Sequence, residues 1–389
     1  MERALVVGGS NGLGLSIALS LKKKGYKQII VLDQQEPDVL IKREVEFVRF
    51  NLLFDDYSVF ETFDAIDTLI ITAGIGRIAS FENIEDVEIQ NCIKINSLAP
   101  MRIISKFYDK LIQNNPFFSA VVGSIAGLVS SPLFSVYGAS KAAVCKFTES
   151  INIELEKKGT PNRILNVIPG FIEGTRFYGQ SETNLGCVEQ LADEITDKMF
   201  ARETVFIPKY SMYKSVLERY HSDPHRFGLE SYKYKEESGR LSSKPRIKVG
   251  YLSGTFDLFH IGHLNLIRRA KEYCDYLVVG VHKDASHKNK TVFIPYEERV
   301  EIVKSVRYVD KVIESLPEDS DVYAAIKYDY LFVGSDYKGS DRFRKYEDYF
   351  KDKNVKIVYF PYTRETSSTH LRITIDNFGR QFNGDAFDR

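Results

Sequence analysis

Two short spacings in this chain set chemically able side chains beside one another. Tyr137 and Lys141 are four residues apart, so on a helix both project from one face and an ammonium stands next to a phenol. A tyrosine titrating at about 10 is a poor proton donor or acceptor at neutral pH, and a neighbouring cation stabilises the phenolate and draws the group toward the working range. Ser124, thirteen residues earlier, adds a hydroxyl able to hold a reacting carbonyl. Such a set suits reduction of a carbonyl, with a cofactor supplying the hydride. Further on, His260 and His263 stand three apart in Gly254-Thr255-Phe256-Asp257-Leu258-Phe259-His260-Ile261-Gly262-His263. Two imidazoles on a glycine-bearing turn that opens a helix suit a triphosphate.

The elements that must position these groups are legible around them. Ala4 to Val7 reads as a buried strand, and Gly8-Gly9-Ser10-Asn11-Gly12-Leu13-Gly14 turns it into a helix with Leu15, Ile17, Ala18, Leu19 and Leu21 on its apolar face. A second strand, Gln28 to Asp33, ends in a carboxylate. This is the dinucleotide arrangement, in which turn amides hold a pyrophosphate and the acid holds a ribose 2′-hydroxyl. Asp33 would repel a 2′-phosphate, and Asn11, Gln34 and Gln35 add no positive charge, so NAD(H) is expected in preference to NADP(H). Strand-like segments at Val45 to Phe50, Thr68 to Thr72 and Ala120 to Val122 alternate with helix-compatible stretches.

The pattern then repeats. Ile247, Val249, Tyr251 and Leu252 lead into the histidine turn, and Leu264, Ile267, Ala270 and Cys274 follow it at helical spacing. Tyr276 to Val281, Tyr330 to Gly334 and Val355 to Tyr359 read as further strands, and the hydroxyl cluster Thr363 to His370 can cap a helix and hold phosphate. The fold class expected is α/β, with two doubly wound, Rossmann-like parallel-sheet domains in tandem.

Residues 1 to about 210 resemble the short-chain dehydrogenase/reductase family. Gly8, Gly12 and Gly14 match its glycine turn, which encloses Ser10, Asn11 and Leu13; Ala73-Gly74 match part of its fourth-strand motif and Asn96 its catalytic asparagine. Ser124, Tyr137 and Lys141 match the remaining catalytic residues, and Pro169-Gly170-Phe171-Ile172 the segment that borders the nicotinamide. Val7, Asn51, Ile71-Thr72 and the position of Thr175 depart from the family's pattern. From about 247 to 373 the chain resembles the cytidylyltransferases of small phosphorylated alcohols, nearest the glycerol-3-phosphate enzymes. That resemblance makes His260 and His263 its HxGH signature and places Asp257, Lys288, Arg299, Arg307, Asp310, Thr363, Ser367, Ser368 and Thr369 on active-site positions, with Lys290 an alternative to Lys288. CTP would lie against Gly254, Thr255 and Phe256 as well, accompanied by Mg²⁺ whose protein ligands the sequence leaves unassigned. Tyr362 and Glu365 depart from the last motif.

Together the two resemblances imply a bifunctional enzyme. It would reduce a keto or aldehydo sugar phosphate to a polyol phosphate and join this to CMP, giving a CDP-alditol of the kind used in teichoic-acid-like or capsular polymers. Two alternatives stay open: a reductase acting on the CDP-linked product, and a cytidylyltransferase with a non-catalytic, regulatory or dimerising reductase-like domain. A homodimer is expected from both families.

Composition bounds the rest. The 389 residues suffice for two full cores, and 43% hydrophobic with 27% charged residues is ordinary for a globular protein. Lysine plus arginine equals aspartate plus glutamate at 53 each, so no overall field argues for a nucleic-acid or membrane partner. Four scattered cysteines make no metal spacing, and no apolar run reaches about 18 residues, so a cytoplasmic setting is expected. The expected domains are 1–210 and 246–375, with a connector at 211–245 and a polar tail at 376–389.

Overall fold

Runs of branched and apolar residues form parallel strands whose alternate side chains serve two faces. In the computed structural model, which describes residues 3–37, 44–175, 177, 184–241, 247–283 and 292–361, the chain divides into two compact units, Met1–Pro245 and Arg246–Arg389.

In the first unit, β1 (Arg3–Val7), β2 (Gln28–Asp33), β3 (Glu46–Arg49), β4 (Thr68–Ile71), β5 (Phe118–Val122), β6 (Ile164–Val167) and β7 (Val205–Phe206) pair in the order β3-β2-β1-β4-β5-β6-β7. All these pairings are parallel. The helices are α1 (Gly12–Lys23), α2 (Asp86–Ile93), α3 (Ala99–Lys106), α4 (Tyr108–Leu111), α5 (Ser135–Lys157), α6 (Glu189–Phe200), α7 (Tyr210–Ser222) and α8 (Pro224–Glu237). Leu5 and Val7 of β1 pack with Ile30, Leu32 and Ile103 on one face of the sheet, while Ala4 and Val6 pack with Leu13, Ile17 and Leu21 of α1 on the other. Burial on both faces is why β1 and β2 read as unbroken apolar runs. In α5, Val144, Phe147, Ile151 and Leu155 recur at helical spacing and turn toward the first of these clusters. Gly159, at φ 74°, ends the helix in the left-handed conformation that a glycine adopts without steric cost.

The second unit repeats the scheme with β8 (Val249–Gly254), β9 (Tyr276–Val281), β10 (Lys311–Glu314), β11 (Tyr330–Gly334) and β12 (Lys356–Phe360) in the order β10-β9-β8-β11-β12. Its helices are α9 (Ile261–Lys271), α10 (Tyr296–Lys304), α11 (Asp319–Ala325) and α12 (Asp341–Phe350). Leu252, Val279 and Val281 face Ile267 and Ala270, and Tyr251 and Val278 face Tyr328, Phe343 and Phe350.

Parallel strands deliver their carboxyl ends to one edge. In each sheet the order reverses beside the first strand, between β1 and β4 and between β8 and β11, which opens a crevice at that edge. The glycine turn follows β1 and the histidine turn follows β8, so both sit at such a crevice. The tandem of two doubly wound parallel sheets is the fold class expected. Residues 210–237, all but the first of them in the stretch read as a connector, form two helices and group with the first unit. No described helix is long and apolar enough to cross a membrane.

Candidate functional sites

At the carboxyl edge of the first sheet, the glycine turn is held in a fixed shape. Gly8 and Gly12 have φ of 83° and 53°. A methyl on Gly8 would overlap the backbone of Ala73, and one on Gly14 would overlap the Gly8 carbonyl and the Thr72 hydroxyl. Thr72 Oγ1 lies 3.1 and 3.0 Å from the Val7 and Gly8 carbonyls, tying the end of β4 to the turn. Asn11 precedes α1 without making a side-chain capping bond, and the first turn of α1, which includes buried Gly12, Leu13 and Gly14, holds no acidic residue. Those features suit a bound phosphate. Asp33 stands at the end of β2, where Oδ2 accepts from the amide of buried Ser10 at 3.1 Å. Burial pushes its carboxyl above the ordinary range, opposed by that amide.

The reacting groups come from helix α5, the end of β5 and the turn between α2 and α3. Tyr137 is buried on α5 and stacks on Phe134 with centroids 4.1 Å apart. Lys141 Nζ lies 5.8 Å from the centre of the Tyr137 ring and donates to the Val122 carbonyl at 2.8 Å. Burial drives the Lys141 ammonium down to about 8. Asn96, fully buried, sits in a turn of π-helix over Lys94–Leu98 between α2 and α3. The wider turn inserts one residue into the helical register and is a frequent device at functional sites. Asn96 Oδ1 accepts from the Ile75 amide at 2.8 Å, and Nδ2 donates to the Ile75 carbonyl at 2.7 Å and to Ser140 Oγ at 2.9 Å. A methyl on Gly74 would stand 3.3 Å from Lys141 Nζ and 3.4 Å from Asn96 Oδ1, so Gly74 leaves these groups room. Ser124, buried after β5, accepts from the Ala126 amide at 3.2 Å and faces the Pro169 carbonyl at 3.5 Å. Ile172 lies just beyond, packed against the cluster under α1.

Ser140 escaped sequence reasoning. Its hydroxyl donates to the Tyr137 carbonyl at 2.7 Å while accepting from Asn96, so it links the asparagine to the helix turn that bears the tyrosine. A small hydroxyl residue between Tyr137 and Lys141 was the only signal.

In the second unit, His260 is the residue before α9 and accepts the Gly262 amide on Nδ1 at 3.0 Å. That assigns the ring proton to Nε2, a donor of the kind that can face a phosphate oxygen. Burial lowers the His260 pKa, favouring the neutral ring. His263 stacks on His260 with centroids 4.0 Å apart and has Phe256 and Phe259 beside it. Phe256 and Leu258 flank Asp257 with φ of 53° and 48°, a left-handed conformation that costs about 1–2 kcal/mol for such residues. Buried Asp257 offsets it by accepting the Ile294 amide at 3.0 Å and the Phe293 amide at 3.2 Å. Gly254 ends β8, and its carbonyl receives the His282 amide at 2.9 Å.

Of the residues that the resemblance assigns to the second site, Arg299 and Asp310 for CTP and Arg307 for catalysis, the structure gives the following surroundings. Arg299 is 1% exposed and gives its N–H groups to the carbonyls of Ile294, Thr255, His282 and Lys283. It ties the phosphate turn to the end of β9 from behind. Asp310 accepts from Lys271 and from the Leu277 amide, at the amino-terminal edge of β9 and so at the opposite end of the sheet from the histidines. Arg307 is exposed in the same helix-to-strand return, its guanidinium over the Tyr308 ring. The physical reason is topological: a loop entering a parallel strand lies at the edge away from the crevice. Lys288, Lys290, Thr363, Ser367, Ser368 and Thr369 lie outside the described residues. Among the described residues no cluster of three metal-ligating side chains occurs.

Residues 2–185 match the family described as short chain dehydrogenase, and residues 251–374 match the one described as Cytidylyltransferase-like. The first unit is similar to an uncharacterized short-chain type dehydrogenase/reductase of Sinorhizobium fredii, 29% identical over 199 residues that make 50% of this chain and 78% of that protein. The second is similar to the glycerol-3-phosphate cytidylyltransferase of Bacillus subtilis, 37% identical over 123 residues, 31% of this chain and 90% of that protein. It is also similar to the ethanolamine-phosphate cytidylyltransferase of Dictyostelium discoideum, 45% identical over 80 residues, 20% of this chain and 22% of that protein. The names of these two relatives carry different phosphate esters, so likeness alone leaves the alcohol open.

Proposed function

Because the chain belongs to the cytidylyltransferase family through residues 251–374 and carries a short chain dehydrogenase domain over residues 2–185, we propose that one polypeptide makes and then activates a polyol phosphate. The observation that carries the reading is the joining, in one chain, of a buried Tyr137–Lys141 pair to the His260–His263 pair at the opening of α9.

In the first unit, the glycine turn and Asp33 would hold NADH, which would supply the hydride for reduction of a keto or aldehydo sugar phosphate. Ser124 holds the carbonyl oxygen and Tyr137 gives it a proton. Lys141, whose ammonium stands close to the ring, stabilises the phenolate that this leaves. Asn96 and Ser140 position the helix turn that carries Tyr137. Asp33 takes the ribose hydroxyls and disfavours a 2′-phosphate, which supports NADH over NADPH.

In the second unit, an oxygen of the polyol phosphate attacks the α-phosphorus of CTP; the new P–O bond forms as the bond to the β-phosphate breaks, and pyrophosphate leaves. His260 Nε2 and His263 stabilise the charge that grows on the phosphate oxygens, helped by the amides opening α9. With both Asp257 oxygens engaged by amides, Mg²⁺ would be held chiefly by the triphosphate, as is usual for that ion. The product is a CDP-alditol, which suits cell-surface polymer synthesis.

The test has two readouts on the full chain. NADH oxidation is screened over ketose and aldose phosphates with parent protein and Tyr137→Phe, and CTP-dependent pyrophosphate release over polyol phosphates. Turnover that falls about 100-fold or more in Tyr137→Phe is expected, with the reduced product then serving as the CMP acceptor. Absence of Tyr137-dependent turnover on every phosphate would sink the bifunctional reading.

A further inference from the structure

The hairpin α7–α8 and the residues just after it lie against both rims of the reductase cleft. On one rim, a methyl at Gly170 would overlap the hydroxyl of Tyr213 in α7. Burial raises the Tyr213 pKa there, opposed by a backbone hydrogen bond from Phe171. Arg240 lies 5.0 Å from the centre of the Phe171 ring. On the other rim, Lys235 of α8 donates to Ser131 Oγ and to the Pro132 carbonyl, both at 3.0 Å. Ser131 belongs to the turn that leads into Tyr137: its carbonyl receives the Phe134 amide at 3.0 Å, and Phe134 stacks on the tyrosine. The two rims are joined by the Ile125 amide bonded to the Pro169 carbonyl at 2.9 Å. The hairpin therefore spans from the segment after β6 to the turn that leads into the helix bearing the tyrosine.

Charge decides what would sit beneath it. Several cations of the hairpin face carboxylates: Lys214 with Glu218, Arg219 and Arg226 with Glu230, and Lys233 with Glu237. Lys235 holds three neutral oxygens instead, the third being Ser231 Oγ at 3.0 Å. Burial, and then the neighbouring Arg240 cation, drive the Lys235 ammonium down to about 8. Two half-buried cations near enough to repel one another, one of them bonded only to neutral groups, are stabilised by an anion that both can reach, for which Lys235 exchanges one of its two serine hydroxyls.

We propose that Lys235 and Arg240 bind the phosphate of the carbonyl substrate, with α7–α8 as the outer wall of the reductase cleft and Tyr213 seating that wall on Gly170. This rests on the reductase reading above and adds how the enzyme would select phosphorylated over plain carbonyl compounds.

The experiment uses the full chain as parent, Lys235→Gln, Arg240→Gln and Lys235→Arg. NADH oxidation is measured on dihydroxyacetone phosphate and a pentulose 5-phosphate, each beside its unphosphorylated sugar. CTP-dependent pyrophosphate release and the KM for NADH serve as controls for folding. Each glutamine variant is expected to raise KM for the phosphorylated substrate roughly 10- to 100-fold. The kcat, the KM for NADH and turnover of the plain sugar should stay within about twofold, and Lys235→Arg should recover most of the loss. Unchanged KM in both glutamine variants, on a phosphate that the parent reduces through Tyr137, would overturn the proposal; so would an equal loss on the plain sugar. If the parent reduces none of the phosphates, it is the reductase reading that falls. Calorimetric binding of inorganic phosphate to the NADH-bound chain then decides the anion site: weakened binding in both glutamine variants upholds it, and equal binding overturns it.

Discussion

Arg299→Lys distinguishes a phosphate turn held from behind from one whose arginine touches the nucleotide. The guanidinium is buried and its N–H groups reach four carbonyls, at 2.8 Å for Ile294, His282 and Lys283 and 2.5 Å for Thr255. Lysine keeps the charge but not the planar fork, and from a single point it reaches about two of the four. A hydrogen bond to a charged group contributes about 1.5–3 kcal/mol, so losing two costs at least about 3 kcal/mol. The left-handed Phe256 and Leu258 then lose part of what holds them. For a unit of this size that loss lowers the melting temperature by roughly 10 °C. Thermal unfolding of the full-length variant, followed by far-UV circular dichroism, reads it directly. In the protein still folded at low temperature, KM for CTP should stay within about threefold. An unaltered melting profile together with a KM for CTP raised tenfold or more would refute the clamp and return Arg299 to the triphosphate.

Two other changes probe each unit separately. Asp33→Ala is expected to raise KM for NADH about tenfold and to lower it for NADPH, because the carboxylate that repels a 2′-phosphate is gone; steady-state kinetics with both cofactors checks this, and an unchanged preference would remove Asp33 from cofactor choice. For His260, burial lowers the folded-state pKa below the usual 6.5, so its contribution to stability is complete above that pH and is lost as pH falls through the lowered value. His260→Asn keeps an acceptor for the Gly262 amide but removes the titration and the Nε2 donor. Between pH 7 and 5 the parent should therefore lose more thermal stability than the variant, and CMP transfer by the variant should drop about 100-fold or more. Parallel stability profiles would contradict a lowered folded-state pKa at His260.

Legibility followed the distance over which each relation acts. Tyr137 and Lys141 share a helix face by spacing alone, and the glycine turn announces itself because only particular backbone angles fit between β1 and α1. Asn96 could be found only through family resemblance: a π-turn breaks the helical register, so counting residues does not aim its side chain. Arg299 and Asp310 are assigned to CTP by family resemblance alone. Their placement depends on burial and on which sheet edge a return loop occupies, and neither is a property of local spacing. The hairpin read only as a connector, since the seat of Tyr213 on Gly170 joins positions 43 residues apart.

That seat bears on how the two activities can be taken apart. The sheet of the first unit is complete at Phe206, which makes a cut near residue 210 look natural. Such a cut would strip Tyr213 from the glycine, bare the ring of Phe171 and expose Ser131 and Pro132. The truncated half would keep a whole sheet and the four residues matched to the reductase family while lacking one wall of the chamber they act in. Dividing the protein after Pro245 keeps the hairpin with the residues it covers.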